Sequence, residues 1–155
     1  MDKREQYETV LAEIEAVLAG EHNRTAQMAT ISCLLSQAFP ERYFWTGFYV
    51  VDPEKADELI VGPYQGTLGC LRIAFGKGVC GTAAATRQTQ VVEDVHALAN
   101  HIACDSRSNS EIVVPVFDRA GDLIAVFDVD STQFSAFDET DKRYLEALMA
   151  KIFAA

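Results

Sequence analysis

Three cysteines are concentrated in a part of the sequence that is rich in glycine, alanine and polar residues. Cys80 lies in "GVCGTAAATRQ" (78–88), which predicts a short helix with a glycine at its start, and Cys70 precedes it in the chain. The dipole of a helix favours the thiolate form of a cysteine in its first turn, so Cys80 is the strongest nucleophile by expected pKa. Cys104 lies on a long polar segment, 95–109, where solvent access favours it instead. Spacing alone does not decide between these two thiols.

The cysteine pattern favours redox chemistry over a metal site or a structural disulfide, with unreactive buried thiols as the alternative for any single cysteine. The chain has four cysteines but no C-x-x-C pair, and His96 and His101 have no cysteine partner at the spacing typical of zinc sites. We therefore predict no metal. The N-terminus "MDKREQYETV" has no apolar signal core, which predicts a cytoplasmic protein whose thiols are kept reduced. Cys33, within an apolar helix, is interpreted as a small buried hydrophobe.

Acidic residues alternate with apolar ones in the second strand of a predicted β-hairpin. In "LIAVFDVDS" the two-residue period of a strand places Asp128 and Asp130 on one face. A four-residue turn that pairs Phe117 with Asp122 would bring Glu111 opposite Asp128. Three like charges on a partly apolar face need a bound cation or a retained proton, unless the strand ends simply reach solvent. We expect a pocket for a ligand ammonium group, in which one acid holds a proton that it can donate.

An aromatic strand offers a second candidate for ligand contact. In "WTGFY" the alternation places Trp45, Gly47 and Tyr49 on one face, so that the glycine leaves a gap between two large rings. Such a slot could hold a thioether or a methyl group, because sulfur packs well at aromatic edges. The strand taken by itself favours the alternative that these rings are ordinary core residues.

The remaining patterns predict the elements that must position these residues. The net charge of −10 argues against nucleic acid or an anionic membrane as partner, and no apolar run is long enough to cross a bilayer. The element order predicts an α+β domain, an antiparallel sheet flanked by helices, that occupies residues 1–155 as one unit. Helices are expected at 3–19, 23–39, 78–88 and 138–153, strands at 42–52, 57–64 and 89–94, and a hairpin at 111–131.

Several segments together resemble one family. They are "GPYQG" followed by a cysteine, "FGKGVCGTAAA", "DVHALANHIACDS", "SEIVVPV" and "DVDS". This combination is similar to the free methionine-(R)-sulfoxide reductases, which are single GAF domains, from about "WTGFY" onward. The departures are small: "TLGC" stands ahead of the first site cysteine, and Tyr64 stands where an aromatic residue is expected.

The resemblance implies a role for each candidate residue. Cys104 corresponds to the catalytic cysteine, Cys70 to the main resolving cysteine, and Cys80 to a third thiol that can join the disulfide exchange. The remaining positions correspond to residues that bind the substrate. Glu111, Asp128 and Asp130 match the acids that hold its amino group and sulfoxide, and Trp45 and Tyr49 match the aromatic residues around its S-methyl group.

The function implied is the reduction of free L-methionine (R)-sulfoxide to methionine without a cofactor. The thiolate attacks the sulfoxide sulfur, a sulfenic acid forms on the cysteine, and an intramolecular disulfide follows. Thioredoxin is the expected reductant, and a homodimer is left open. Two alternatives remain at this point: a GAF sensor for a small ligand such as a cyclic nucleotide, and a thiol redox sensor without a substrate. A net negative pocket is unfavourable for phosphate, which counts against the first of these.

Overall fold

The described part of the chain folds into a six-stranded antiparallel sheet with four α-helices, so the predicted α+β class is confirmed. The computed structural model describes residues 1–101 and 104–155. Two residues of the predicted loop 95–109, at 102 and 103, therefore lie outside the described part. The elements are α1 (Lys3–Val17), α2 (Arg24–Ala38), β1 (Trp45–Asp52), β2 (Lys55–Gln65), β3 (Arg72–Ala74), α3 (Gly78–Thr86), β4 (Gln90–Val92), a 3₁₀ turn (Val95–Ala97), β5 (Ser110–Phe117), β6 (Leu123–Ser131) and α4 (Glu139–Phe153).

The sheet has the strand order β3-β2-β1-β6-β5-β4, and it separates two hydrophobic clusters. Helices α1, α2 and α4 cover the larger cluster, where Phe48 and Phe127 are fully buried with ring centroids 4.9 Å apart. Burial of a side chain of this size stabilises the fold by roughly 1.5–3 kcal/mol. Helix α3 covers the smaller cluster on the opposite face, which contains Tyr49 and Val126. Because side chains alternate along a strand, each central strand contributes to both clusters.

The ends of the helices follow from capping residues in the sequence. The side chains of Asp2 and Asn23 accept backbone N–H groups at the starts of α1 and α2, and Asp138 and Asp141 form a capping box at α4. Val17, the last residue of α1, is 59% exposed, whereas Leu18 next to it is buried in the larger cluster. Among the described residues, no helix is long and apolar enough to cross a membrane.

The register of the β5–β6 hairpin differs from the predicted one. Phe117 pairs with Leu123 across a five-residue connection, and a bulge next to Phe117 then shifts the register by one residue. Glu111 consequently lies opposite Asp130, so the predicted pairing of Glu111 with Asp128 is wrong. A connection of odd length would alone have separated the acids onto opposite faces. The bulge restores the common face, and this local irregularity thus determines that the three acids meet.

A buried ionic network joins the first and last helices to the segment that leads into β1. Asp141 is fully buried, and its carboxylate binds Lys3 Nζ at 2.7 Å and Arg42 Nη1 at 2.9 Å. Tyr7 donates a hydrogen bond to the same carboxylate and shares another with Tyr43. The network thus holds the chain immediately before Trp45, where β1 begins.

Candidate active site

Three carboxylates form the floor of a cavity beneath α3, and we call Glu111, Asp128 and Asp130 the acid cup. Glu111 lies on β5 and the two aspartates lie on β6; Glu111 is 5% exposed and Asp128 is 3% exposed. Burial raises the pKa of all three carboxyl groups well above their usual range. The negative charge of a neighbouring member of the cup raises each pKa further. The free protein therefore retains protons in the cup at pH values where ordinary carboxyl groups have lost them.

The carboxyl groups of the acid cup have few ion-pair or hydrogen-bond partners among the described residues around them. Among the described residues, its only ion-pair contact within 4 Å is His101 Nε2, 3.8 Å from a Glu111 oxygen. Burial lowers the pKa of His101, and nearby His96 lowers it further, so this imidazole is neutral at neutral pH. The Oδ1 atom of Asp128 is buried and has no hydrogen-bond partner in the part of the chain that the structure describes. An unsatisfied buried acceptor is costly, and here it is available to a ligand cation or donor.

Cys80 contacts the acid cup from above, at the third position of α3. Its sulfur lies 4.0 Å from Glu111 Oε2 and its side chain is almost fully buried. Burial raises the pKa of the Cys80 thiol, and the charges of Asp128 and Glu111 raise it further. The expectation that Cys80 has the most acidic thiol is therefore wrong. The start of the helix does favour a thiolate, but burial beside carboxylates outweighs this effect.

Cys70 and Cys104 form a disulfide that joins two loops, with their Cα atoms 5.5 Å apart. Cys70 lies between β2 and β3, and Cys104 precedes β5 on an exposed stretch. A second contact joins the same loops, because Thr67 Oγ1 donates a hydrogen bond of 2.8 Å to Asp105 Oδ2. Arg107 binds the same carboxylate at 2.8 Å, and hydrogen bonds from Arg107 hold the pKa of Asp105 well below its usual range.

The aromatic residues line the cavity, but not around the gap that the sequence predicts. Trp45 and Tyr49 stack with ring centroids 5.5 Å apart. The space above Gly47 is filled, since a Cβ atom there would lie 2.2 Å from Tyr64 Cβ on the neighbouring strand. The prediction of an open slot at Gly47 is therefore wrong. A different glycine permits the close approach to the rings: a Cβ atom on Gly69 would lie 2.8 Å from Trp45 Cζ2.

Seven of the eight predicted site residues line one small cavity: Trp45, Tyr49, Cys80, Cys104, Glu111, Asp128 and Asp130. The eighth, Cys70, is bonded to Cys104. The cavity measures about 40 Å³, room for a few water molecules only. Sequence reasoning did not assign Lys77, Ser108 or His101 to the site, although they also line the cavity. Their proximity to Cys80, Cys104 and Glu111 in the chain was the available signal. Cys33, expected to be buried, is half-buried in α2 and is free.

The fold and the cavity define the class of protein. Residues 35–155 match the family model of the GAF domain. The chain is 46% identical over 147 residues to GAF domain-containing protein A of Dictyostelium discoideum, which covers 95% of this chain and 90% of the relative.

Further similarities are more specific. The chain is 40% identical over 151 residues to free methionine-R-sulfoxide reductase of Saccharomyces cerevisiae, covering 96% of this chain and 84% of the relative. The structure of free methionine-R-sulfoxide reductase from Neisseria meningitidis in complex with its substrate superposes with a TM-score of 0.92. That comparison has 49% identity and covers 99% of this chain and 89% of the neisserial chain. The chain belongs to the free methionine-R-sulfoxide reductase family of GAF-domain proteins.

Proposed function

We propose that this protein reduces free methionine-(R)-sulfoxide to methionine. The observation that carries the proposal is the position of Cys104, which forms a disulfide with Cys70 and lines the same cavity as the acid cup. A disulfide between two loops provides two-electron redox chemistry, and buried acids provide protons and a site for a cation. The substrate-bound neisserial structure and the yeast reductase support the choice of substrate.

In this proposal the acid cup binds the ammonium group of the free amino acid. Among the described residues, no charged cation lies within 4 Å of the cup, whose only ion-pair contact is the neutral His101, and Oδ1 of Asp128 has no hydrogen-bond partner. An ammonium group supplies a positive charge together with three hydrogen-bond donors. A methionine sulfoxide within a peptide has no such group, and it would leave buried carboxyl groups unmatched. Selectivity for the free amino acid follows from this difference.

The chemical step transfers one oxygen atom from the substrate to the enzyme. A member of the acid cup that still holds its proton donates it to the sulfoxide oxygen, which makes the sulfur electrophilic. The Cys104 thiolate attacks that sulfur and a bond forms between the two sulfur atoms. The hydroxyl group then passes to the Cys104 sulfur as the S–O bond and the new S–S bond break, which releases methionine and leaves a sulfenic acid on Cys104. The substrate sulfur gains two electrons and the cysteine sulfur loses two. Trp45 and Tyr49 surround the S-methyl group in this arrangement.

The second half of the cycle forms the disulfide that the structure contains. The Cys70 thiolate attacks the sulfenic sulfur of Cys104, and the hydroxyl leaves as water after gaining a proton. An external dithiol, thioredoxin in our proposal, then reduces the disulfide by exchange and is itself oxidised. Cys80 is the third thiol available for exchange, and its raised pKa makes it a slower attacking group than an exposed thiol.

The oxidised protein should not bind substrate. Its cavity of about 40 Å³ is far smaller than the few hundred Å³ of ordinary ligand sites. Reduction of the disulfide would free the Cys104 loop from the Cys70 loop and enlarge the cavity. We therefore propose that reduction precedes substrate binding, with residues 1–155 acting as one domain. A cytoplasmic location and a homodimer stay predictions.

The test is an incubation with racemic free methionine sulfoxide and a small dithiol, followed by chiral separation of the remaining sulfoxide. The R epimer should disappear and the S epimer should remain. Cys104→Ser should abolish the reaction, and Cys70→Ser should permit one turnover per protein but slow the next. Cys33→Ser is the matched control and should retain full activity, since this cysteine lies in α2 on the other side of the sheet.

Two results would contradict the proposal. One is consumption of the R epimer at an undiminished rate by Cys104→Ser. The other is equal turnover of free and N-acetylated methionine sulfoxide, since the acetylated compound has no ammonium group for the acid cup.

A further inference from the structure

We propose that the reduced protein binds one thiophilic divalent cation, Zn²⁺ or Cd²⁺, through Cys80, Glu111 and Asp128. The geometry carries this inference: one ligand atom from each of these side chains lies within 4.8 Å of the other two. All three side chains are buried, with exposures of 4%, 5% and 3%. The cation would occupy the part of the cavity that our proposed function gives to the substrate ammonium group.

The donor set suits such an ion. Zinc is bound by thiolate sulfur at about 2.3 Å and by carboxylate oxygen at about 2.0–2.2 Å, and three protein ligands with one open position are common. Thiolate also selects softer ions over magnesium and calcium, which prefer sites made only of oxygen. The three ligands come from α3, β5 and β6, so each side chain is held by regular secondary structure.

A second observation, distinct from the spacing of the ligand atoms, points to a ligand at this place. Asp128 is 3% exposed, lines the cavity, and has an Oδ1 atom without a hydrogen-bond partner among the described residues. A buried acceptor of this kind is normally paired. His101 lies 3.8 Å from Glu111, where an imidazole can support a carboxylate that ligates a metal.

Another pair of thiols competes for the same ions and must be separated from the proposed site. When the disulfide is reduced, Cys70 and Cys104 could bind cadmium as a dithiol. The proposed site uses neither of them. Binding of the ion does not depend on the reductase activity, whereas inhibition does rest on the proposed function. If both hold, the ion inhibits competitively with respect to methionine sulfoxide.

The experiment uses the full-length chain with Cys70→Ser and Cys104→Ser, so that the dithiol is absent. Cadmium is titrated into this protein while the ultraviolet thiolate-to-cadmium charge-transfer band is recorded, and calorimetry gives the stoichiometry. We expect one ion per chain. Adding Cys80→Ser should remove the band, and adding Asp128→Asn should weaken binding at least about tenfold, since loss of an outer-shell partner alone commonly costs 10–100-fold. Adding Cys33→Ser should change neither value.

The remaining outcomes test the proposed metal site and the proposed reductase function separately. Cadmium binding that survives Cys80→Ser, or that requires Cys104, overturns the proposed site. Free methionine should raise the cadmium concentration needed for half-saturation, and a lack of competition would show that the ion and the amino acid occupy different places. If cadmium binds through Cys80 but the wild-type protein does not reduce methionine sulfoxide, the site stands and the proposed function fails.

Discussion

Replacing Asp128 by asparagine should stabilise the free protein while it weakens substrate binding. The carboxyl group is nearly fully buried, and burial together with the charge of Asp130 raises its pKa well above the usual range. A group whose pKa is higher in the folded state than in the unfolded state binds its proton more tightly when folded. Its contribution to stability is complete below the unfolded pKa and is lost as the pH rises through the folded pKa. The stability that protonated Asp128 contributes therefore decreases as the pH rises from the unfolded pKa toward the folded one.

The magnitude follows from the raised pKa of this side chain. Asparagine removes the charge and keeps nearly the same shape, so no cavity is created. Each pKa unit of difference between folded and unfolded states corresponds to about 1.4 kcal/mol. Because the pKa of Asp128 is raised well above its usual range, we expect Asp128→Asn to raise the free energy of unfolding at pH 8 by at least about 1.4 kcal/mol. Each kcal/mol corresponds to about 2–4 °C in Tm for a chain of this size.

The assay is urea unfolding of the disulfide-intact protein at pH 4.5 and at pH 8. The stabilisation should be small at the lower pH, where the carboxyl group of the wild type keeps its proton, and it should grow as the pH increases. Asp122→Asn is the control, since this aspartate lies exposed in the hairpin connection. A variant that is less stable than the wild type at pH 8, or a difference that does not change with pH, would refute the reasoning about the acid cup.

Three further substitutions address other parts of the site and fold. Gly69→Ala places a methyl group 2.8 Å from Trp45 Cζ2. It should raise KM for methionine sulfoxide, while the Tm measured by thermal unfolding changes little. Asp141→Asn removes the counter-charge of Lys3 and Arg42, which are only partly buried, and urea unfolding should show a loss of about 3 kcal/mol, the lower end of the range for a broken buried pair. Asp105→Asn weakens the noncovalent contact to Thr67 between the two thiol loops, and a glutathione redox titration should show a disulfide that is reduced more readily.

Local sequence signals predicted most of the secondary structure. The helix expected at 23–39 agrees with α2, because Asn23 caps its start, Pro40 follows its end, and both signals act within one turn of the chain. The alternation in "LIAVFDVDS" predicted that Asp128 and Asp130 share a face, since the period of two is a property of the strand itself. The short strand β3 (Arg72–Ala74) was not predicted, because three residues carry too little periodicity.

The parts that failed depend on residues distant in the chain. The hairpin bulge near Phe117 shifts the register, and alternation cannot report an extra residue. The position of Cys80 in its helix predicted a low pKa for the thiol. The structure places that thiol against carboxyl groups more than thirty residues away in sequence, and burial reverses the direction. The gap at Gly47 is filled by Tyr64 from the neighbouring strand for the same reason.

The carboxyl groups of the site lie on strands and its redox-active cysteines lie on loops. This arrangement explains how the site can hold unfavourable charges and still allow the cysteines to move. The acid cup is built on β5 and β6, adjacent strands inside the sheet, whose backbone hydrogen bonds resist the repulsion between its carboxyl groups. The Cys70–Cys104 pair lies on two loops, because its sulfur atoms must separate and rejoin in each catalytic cycle of the proposed reaction. In the proposed reaction, a zwitterion whose ammonium group enters the cup relieves the repulsion, so part of its binding energy comes from the unfavourable interactions already present in the free protein. A ligand without an ammonium group gains none of that energy, whatever contacts it makes with Trp45 and Tyr49.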